Sequence, residues 1–393
     1  MPQPPRTPSP AASSRGPRAR LAALALAVAL AASGCASAPR DGAPATGAAL
    51  ASAAAPALKA GTDHGLLDGA PWRIDVPPDW NGELVVVMHG YEPAGSPREG
   101  PMTIGAAEQF LARGYAVAAS LYSAQGWAVE EGIVDSERLR RYFAQAYAAP
   151  RRTWAVGHSM GGLVALGSLE RHPEAWDGVL SACGVNTPGA EMISEGVMRP
   201  LLATMVLFPG ALDVRPLGAT SGPRIAMPDP AALEARFAAD EARAAILADG
   251  TGIPRDGLAD AIGLLALVLS DIQAAAGGHP VDNTATRYSG FGDDAAFNAA
   301  VPRYAGHPPA IAWIAARAPL RGEPAKPVVV LDNAVDPAVP ARFGRRYGEL
   351  ARANGLGARV IERPPVGVGH CAFEPADVDA AFAALRQAAG AGR

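Results

Sequence analysis

The sequence predicts an α/β fold in which a doubly wound, mostly parallel sheet is interrupted by a helical insertion. Strand-like and helix-like runs alternate from about Leu66 to Ser181. The alternation stops at 188–319, where Ala-rich stretches of helical period predominate, and it resumes at Pro327. Strands that alternate with helices are typical of βαβ units and therefore of parallel sheets.

The elements before the insertion are indicated by apolar runs and by the residues that end them. The short apolar run Glu83–Met88 predicts a buried parallel strand that ends in His89-Gly90. Gly114 ends one predicted helix and Pro150 follows another. The remaining elements predicted here are helix Met102–Arg113, strand Tyr115–Tyr122, helix Val129–Ala148, strand Arg152–Val156, helix Met160–Arg171 and strand Trp176–Ser181.

The insertion divides the predicted core into two segments. We expect the core at 61–187 and 320–393, and a helical cap at 188–319 in which Ala231–Leu247 and Gly257–Ala275 are the clearest helices. An insertion of this length is usually functional when it is placed in a loop. The elements predicted after it are strand Pro327–Leu331, helix Ala341–Asn354, strand Ala358–Glu362 and helix Pro375–Ala389.

The N-terminal region has the composition of an export signal. Residues 1–34 combine a basic start, the apolar run Leu21–Ala32 and small residues before Cys35, which predicts a secretory signal peptide. Cys35 after three small residues resembles a bacterial lipobox, in which lipid is attached to the cysteine; the alternative is a soluble secreted protein with an incidental cysteine. Ala36 after it indicates the outer membrane. Residues 35–60 are nearly all Ala, Pro, Ser, Gly and Thr, which predicts a flexible tether.

Composition excludes several classes of protein and of partner. Among the 393 residues, 49% are hydrophobic and 18% charged, so a disordered or fibrous chain is excluded. The formal net charge of -4 and the lack of a long basic run disfavour a nucleic-acid partner. Three cysteines and seven histidines without metal-ligand spacing predict no metal site.

One motif indicates nucleophilic chemistry. Gly157-His158-Ser159-Met160-Gly161 matches G-x-S-x-G, with a predicted strand directly before it and a predicted helix directly after it. A sharp strand-to-helix turn lifts a serine hydroxyl above the edge of a sheet, and the glycines permit that turn. A serine hydroxyl alone is a poor nucleophile, so a histidine and usually an acid must accompany it. The alternative is a Gly-rich turn with an exposed serine.

The order of the motifs resembles the α/β-hydrolase superfamily over residues 84–182 and 327–388. His89-Gly90 follows a strand, Ser159 stands in the turn, and an Asp and a Gly-His follow the insertion, in the family's order Ser, acid, His. The resemblance implies that His370, in Gly369-His370 before the last helix, is the catalytic base. Asp332 and Asp336 both follow the strand that ends at Leu331, and the family's acid before a Pro-x-Val-Pro turn corresponds to Asp336.

The same resemblance assigns roles to five further residues. The backbone N–H groups of Tyr91 and Met160 are expected to stabilise an oxyanion, and Met160 also begins a helix whose dipole helps. Trp127 follows the strand that ends near Tyr122, at the same sheet edge as Ser159, and is expected either to line a substrate pocket or to be a plain core residue. In this fold Cys183 and Cys371 both lie near the site, and a disulfide between them is a hypothesis that suits an exported protein.

The resemblance implies hydrolysis of a small, mostly apolar carboxylic ester through an acyl-enzyme. It implies no metal, no cofactor and no protein partner, and contact with a membrane only through the lipid anchor. A serine exopeptidase or amidase of the same fold is the first alternative. A polyester hydrolase and a non-catalytic surface lipoprotein are the others. Serine at position 159 disfavours reactions that use a carboxylate nucleophile.

Overall fold

The protein is described by a computed structural model that covers residues 60–98, 107–218 and 220–391. The predicted signal peptide at 1–34, the predicted lipid-bearing Cys35 and the predicted tether apart from Ala60 lie outside these residues. The first half of the predicted helix Met102–Arg113 also lies outside them.

The part of the core before the insertion begins with a hairpin that is absent from the predicted elements. Its turn, Asp68-Gly69, has positive φ at both residues, 48° and 85°, as a two-residue type I′ hairpin requires. The elements of this part are β1 (Gly61–Leu67), β2 (Ala70–Val76), β3 (Glu83–Met88), α1 (Ala107–Leu111), β4 (Ala116–Ser120), α2 (Val129–Ala146), β5 (Arg152–His158), α3 (Met160–Arg171) and β6 (Gly178–Ala182).

The insertion is helical, with a short antiparallel pair of strands among its described residues. Its elements are α4 (Gly189–Glu191), a π-helix (Met192–Met198), α5 (Arg199–Leu207), β7 (Val214–Pro216), β8 (Pro223–Ile225), α6 (Pro230–Ala239), α7 (Glu241–Thr251), α8 (Leu258–Ala276), α9 (Asp294–Ala300) and α10 (Pro308–Arg317). The single helix predicted at Ala231–Leu247 was wrong: the chain breaks at Asp240, whose carboxylate accepts a hydrogen bond from the Arg243 N–H and so begins α7.

Helix α8 carries the most apolar sequence of the insertion. By length and composition alone it could cross a membrane, but most of its residues are buried within the protein. Packing in the interior of a folded domain therefore accounts for its composition.

The chain after the insertion completes the sheet and adds a second small one. Its elements are β9 (Val328–Leu331), β10 (Asn333–Val335), α11 (Ala341–Ala353), β11 (Val360–Glu362), β12 (Val366–Val368) and α12 (Pro375–Ala391). Strands β10 and β12 pair in parallel, which brings the segment before Asp336 beside the segment before His370.

Within the described part of the chain, the main sheet has eight strands in the order β1-β2-β4-β3-β5-β6-β9-β11. Strands β1 and β2 pair antiparallel, as do β2 and β4, and all other neighbours pair in parallel. The predicted fold class, a mostly parallel doubly wound sheet with a helical insertion, is confirmed. The carboxyl ends of β3, β5, β6 and β9 share one edge of the sheet, so the loops that follow them converge.

Helices cover both faces of the sheet. Leu84, Val86 and Met88 of β3 belong to a large apolar core that also includes residues of α2, α3 and the insertion. The alternate residues Val85 and Val87 belong to a second apolar core with residues of α1 and α12. This alternation follows from the two-residue period of a strand and fixes which side chains of each strand are buried on which face.

Candidate active site

Ser159 lies in a tight turn between β5 and α3. Its φ of 56° and ψ of -126° are rare for a residue with a side chain, and such conformations cluster at functional sites. Two flanking glycines make the turn possible. A Cβ at Gly157 would overlap the carbonyl oxygen of Gly161, and one at Gly161 would overlap the carbonyl oxygen of Met88. The turn therefore packs too closely for any larger residue at either position.

His370 lies in the loop between β12 and α12 and reaches Ser159 across the edge of the sheet. Its Nε2 lies 2.8 Å from Ser159 Oγ, and its Nδ1 lies 2.9 Å from Asp336 Oδ2 and 3.1 Å from Asp336 Oδ1. With Nδ1 protonated and donating to the carboxylate, Nε2 is left as an acceptor for the serine O–H. The imidazole is thus oriented from both sides.

Asp336 is held in place by the turn that follows it. Its side chain is 4% exposed, and its Oδ1 accepts hydrogen bonds from the N–H groups of Ala338 at 2.8 Å and Val339 at 2.9 Å. These bonds leave Oδ2 directed at His370. A buried carboxylate with three donors is fully satisfied and has a fixed orientation.

Asp332, the other acid considered from the sequence, packs elsewhere. A Cβ at Gly344 of α11 would overlap its carboxyl oxygens, so the carboxyl group lies against the backbone of that helix. Burial raises the pKa of Asp332 to about 7, and the neighbouring Asp336 adds to this shift. The structure brings Asp336 to His370 and leaves Asp332 on the side of α11.

The loop after β3 lies directly against the serine. A Cβ at Gly90 would be 3.0 Å from Ser159 Cβ and 3.4 Å from Ser159 Oγ. Tyr91 follows Gly90, and Met160 begins α3 immediately after Ser159, so both backbone N–H groups expected to stabilise an oxyanion lie within one residue of this contact. This arrangement suits a negative charge that develops on an atom bound to Ser159.

The side chain of Tyr91 makes a contact that the sequence did not indicate. Its hydroxyl donates a hydrogen bond to Asp271 Oδ2 at 2.5 Å, and the Ala94 N–H donates to the same oxygen at 2.9 Å. Asp271 belongs to α8 in the insertion. Asp271 is the one charged residue of α8 after its first turn, and this was the available signal for it.

Two other histidines flank the site. The ring of His89 stacks on that of Tyr122 with centroids 4.0 Å apart, and its Nδ1 donates to the Gly90 carbonyl at 2.8 Å. Burial lowers the pKa of His89. Burial, with a smaller contribution from His370, lowers the pKa of His158 to about 4. Both rings are therefore neutral at neutral pH.

Cys183 and Cys371 are joined by a disulfide. Cys183 directly follows β6, and Cys371 directly follows His370, so the bond ties the histidine loop to the carboxyl edge of the main sheet. Both cysteines have positive φ, 48° and 56°.

Trp127 is largely buried. It is 6% exposed and belongs to the larger apolar core, and among the described residues its indole Nε1 has no hydrogen-bond partner. Its burial agrees with a core residue, and a part in substrate binding stays a prediction.

No family model matches the chain, and no curated protein matches it. Several solved structures are similar. Est1E from Butyrivibrio proteoclasticus is 13% identical and aligns over 84% of this chain and 99% of its own, with a TM-score of 0.42. A thermostable carboxyl esterase from Bacillus coagulans is 14% identical, with 84% and 99% covered and a TM-score of 0.42. Brefeldin A esterase is 16% identical, with 85% and 76% covered and a TM-score of 0.44. These likenesses concern the general arrangement of the chain alone.

Proposed function

We propose that the protein is a serine hydrolase that cleaves carboxylic esters through a covalent acyl-enzyme. One observation carries the proposal: His370 lies between Ser159 Oγ, at 2.8 Å from Nε2, and Asp336 Oδ2, at 2.9 Å from Nδ1. A nucleophile, a base and an acid that orients the base are the parts that this chemistry needs.

In the first half of the reaction, His370 Nε2 takes the proton of Ser159 as Oγ attacks the ester carbonyl. The carbonyl oxygen becomes an oxyanion, which accepts hydrogen bonds from the N–H groups of Tyr91 and Met160. When the tetrahedral intermediate collapses, the bond to the alcohol oxygen breaks and His370 gives its proton to that oxygen. Asp336 stabilises the imidazolium and stays ionised throughout.

In the second half, water replaces the alcohol. His370 Nε2 takes a proton from the water as its oxygen attacks the acyl carbon of the ester on Ser159. Collapse of the second intermediate breaks the bond to Oγ, which recovers its proton from His370. The products are a carboxylic acid and the free enzyme, and no group outside this chain is needed to balance the reaction.

The insertion favours a small substrate. Helix α8 approaches the loop after Asp336 at its N-terminal end, where a Cβ on Gly257 would be 3.2 Å from Pro337, and it contacts Tyr91 through Asp271 near its C-terminal end. The helix thus reaches both sides of the site. A helix that spans the site in this way supports a small substrate.

Labelling with a fluorophosphonate and turnover of p-nitrophenyl acetate and butyrate test the proposal. We expect the label on Ser159, and loss of both labelling and turnover in Ser159→Ala. Ser123→Ala, which changes an exposed serine outside the site, serves as the matched control. Turnover that survives in Ser159→Ala would overturn the proposal. Turnover of aminoacyl amides without turnover of esters would favour the exopeptidase alternative. A wild type that is neither labelled nor active would favour the non-catalytic lipoprotein.

We also propose that the protein is exported and anchored to the outer membrane by lipid on Cys35. The basic start, the apolar run and the small residues before Cys35 support this. The pairing of Cys183 with Cys371 supports it too, since structural disulfides persist in oxidising compartments. Labelling cells with a radioactive fatty acid tests the anchor. Incorporation should disappear in Cys35→Ala, and a Cys35→Ala protein that still sediments with membranes would contradict the anchor.

A further inference from the structure

Asp271 connects the insertion to the loop that carries Tyr91. Its Oδ2 accepts two hydrogen bonds from that loop, from the Tyr91 hydroxyl at 2.5 Å and from the Ala94 N–H at 2.9 Å. A Cβ on Gly126 would be 3.3 Å from Asp271 Cβ, so the carboxyl group also lies close to the loop after β4. Gly126 in turn donates from its N–H to the Glu92 carbonyl at 2.7 Å.

The hydrogen bond between Tyr91 and Asp271 favours a fixed position of the Tyr91 side chain. Burial, together with the bond to Asp271, raises the pKa of Tyr91, so its hydroxyl remains protonated and serves as a donor. A hydrogen bond to a charged acceptor is stronger than one between neutral groups. Because Asp271 holds the hydroxyl end of its ring, the side chain of Tyr91 has little freedom to rotate. The direction of its backbone N–H is therefore also restricted.

The position of Asp271 on α8 makes this contact a link between the two sides of the site. Gly257 is the N-cap residue of α8, and Leu264 and Asp271, seven residues apart, lie on one face of the helix. The first of them lies against Pro337, next to Asp336, and the last holds Tyr91. A span of fourteen residues corresponds to roughly 21 Å of helix.

We propose that Asp271 is a positioning residue for the oxyanion-binding N–H of Tyr91, so that the insertion helps to build the site that it covers. This inference rests on the proposed function, because it assigns Asp271 a part in the same ester hydrolysis. Asp271 acts through Tyr91 and touches no reacting atom.

Kinetics of paired variants test the proposal with p-nitrophenyl butyrate as substrate. We expect Asp271→Ala to lower kcat by roughly 10- to 100-fold, because a small displacement of a catalytic donor has an effect of that size. KM should change by less than about 3-fold, since the oxyanion forms only after binding. Tyr91→Phe should have a similar effect, and the double variant should be no slower than the slower single variant.

Two further measurements separate positioning from mere structural support. An alkyl trifluoromethyl ketone, which forms a tetrahedral oxyanion on a catalytic serine, should bind Asp271→Ala more weakly by about the same factor by which kcat falls. Asp271→Asn should recover most of the activity, because an amide oxygen can still accept the bonds from Tyr91 and Ala94. Titration of active sites with a fluorophosphonate sets the concentration of folded enzyme in each sample.

The matched control is Asp260→Ala, which removes an exposed carboxylate from the first turn of the same helix. It should leave kcat, KM and ketone affinity unchanged. An Asp271→Ala enzyme with wild-type kcat per titrated site, or multiplicative effects of Asp271→Ala and Tyr91→Phe, would overturn the inference. Failure of the proposed function is a different result, because the wild type itself would then hydrolyse no ester.

Discussion

Cys371, the residue after His370, is bonded to Cys183, the residue after β6, across 188 positions of the chain. The disulfide closes a loop that contains the whole insertion, and one of its ends adjoins the proposed catalytic base. Its presence should therefore affect both the stability of the fold and the geometry of the site.

Removing this disulfide should lower stability and activity together. Loss of a disulfide typically reduces the free energy of unfolding by about 2–4 kcal/mol, and the length of this closed loop places the expected loss at the upper end of that range. A freer histidine loop should also lower kcat. We expect both effects in Cys183→Ser/Cys371→Ser, measured by urea denaturation and by ester turnover. Dithiothreitol should reproduce them in the wild type and leave the double variant unchanged; equal stability with and without the bond would contradict this prediction.

The two acids after β9 should respond differently to the same substitution. Asp336→Asn keeps the size of the side chain but favours the wrong tautomer of His370, and we expect kcat to fall by roughly 10³- to 10⁴-fold. Asp332→Asn should stay within a few-fold of the wild type, because that side chain packs against α11 at Gly344. Steady-state turnover of both variants at one pH shows which of the two acids orients His370. A larger loss in Asp332→Asn would exchange the roles of the two acids.

Asp332 should also make stability depend on pH. Its pKa lies at about 7 in the folded state against an ordinary value of 3.8. The folded state therefore holds the proton more tightly, and stability falls as pH rises through the window between these two values. Asp332→Asn cannot ionise at this position and therefore removes the fall in stability with rising pH. The melting temperature of the variant relative to the wild type should rise from pH 4 to pH 8, and a constant difference over that range would contradict the raised pKa.

The position of Ser159 could be predicted because its turn depends on local residues. Glycines at 157 and 161 are required by close backbone approach, and a strand and a helix border them directly, so the pattern is visible in a short stretch of sequence. The hairpin of β1 and β2 is equally local, because the Asp68-Gly69 dipeptide at its turn is itself a hairpin signal.

The contact between Tyr91 and Asp271 could not be predicted in the same way. The two residues are 180 positions apart, and their meeting depends on how the insertion docks over the core. Hydrophobic period predicts that α8 is a helix, but not which side of it meets which loop. Asp240 is intermediate between the two cases, since a single capping carboxylate divides one predicted helix into α6 and α7.

Gly90→Ala should impair catalysis while the fold remains intact. The backbone of Gly90 does not adopt positive φ, so alanine meets no conformational strain there. Its methyl group would instead lie 3.0 Å from Ser159 Cβ and 3.4 Å from Ser159 Oγ, and one of the two side chains must shift. Because His370 Nε2 holds Oγ at 2.8 Å, we expect that shift to lower kcat/KM by about 10-fold or more.

Gly390→Ala is the matched control: an added Cβ there meets no described atom within 4 Å, and alanine favours the helix. Ester turnover and thermal melting of both variants check the prediction. Unchanged turnover in Gly90→Ala would show that the loop after β3 lies farther from the serine than 3.4 Å.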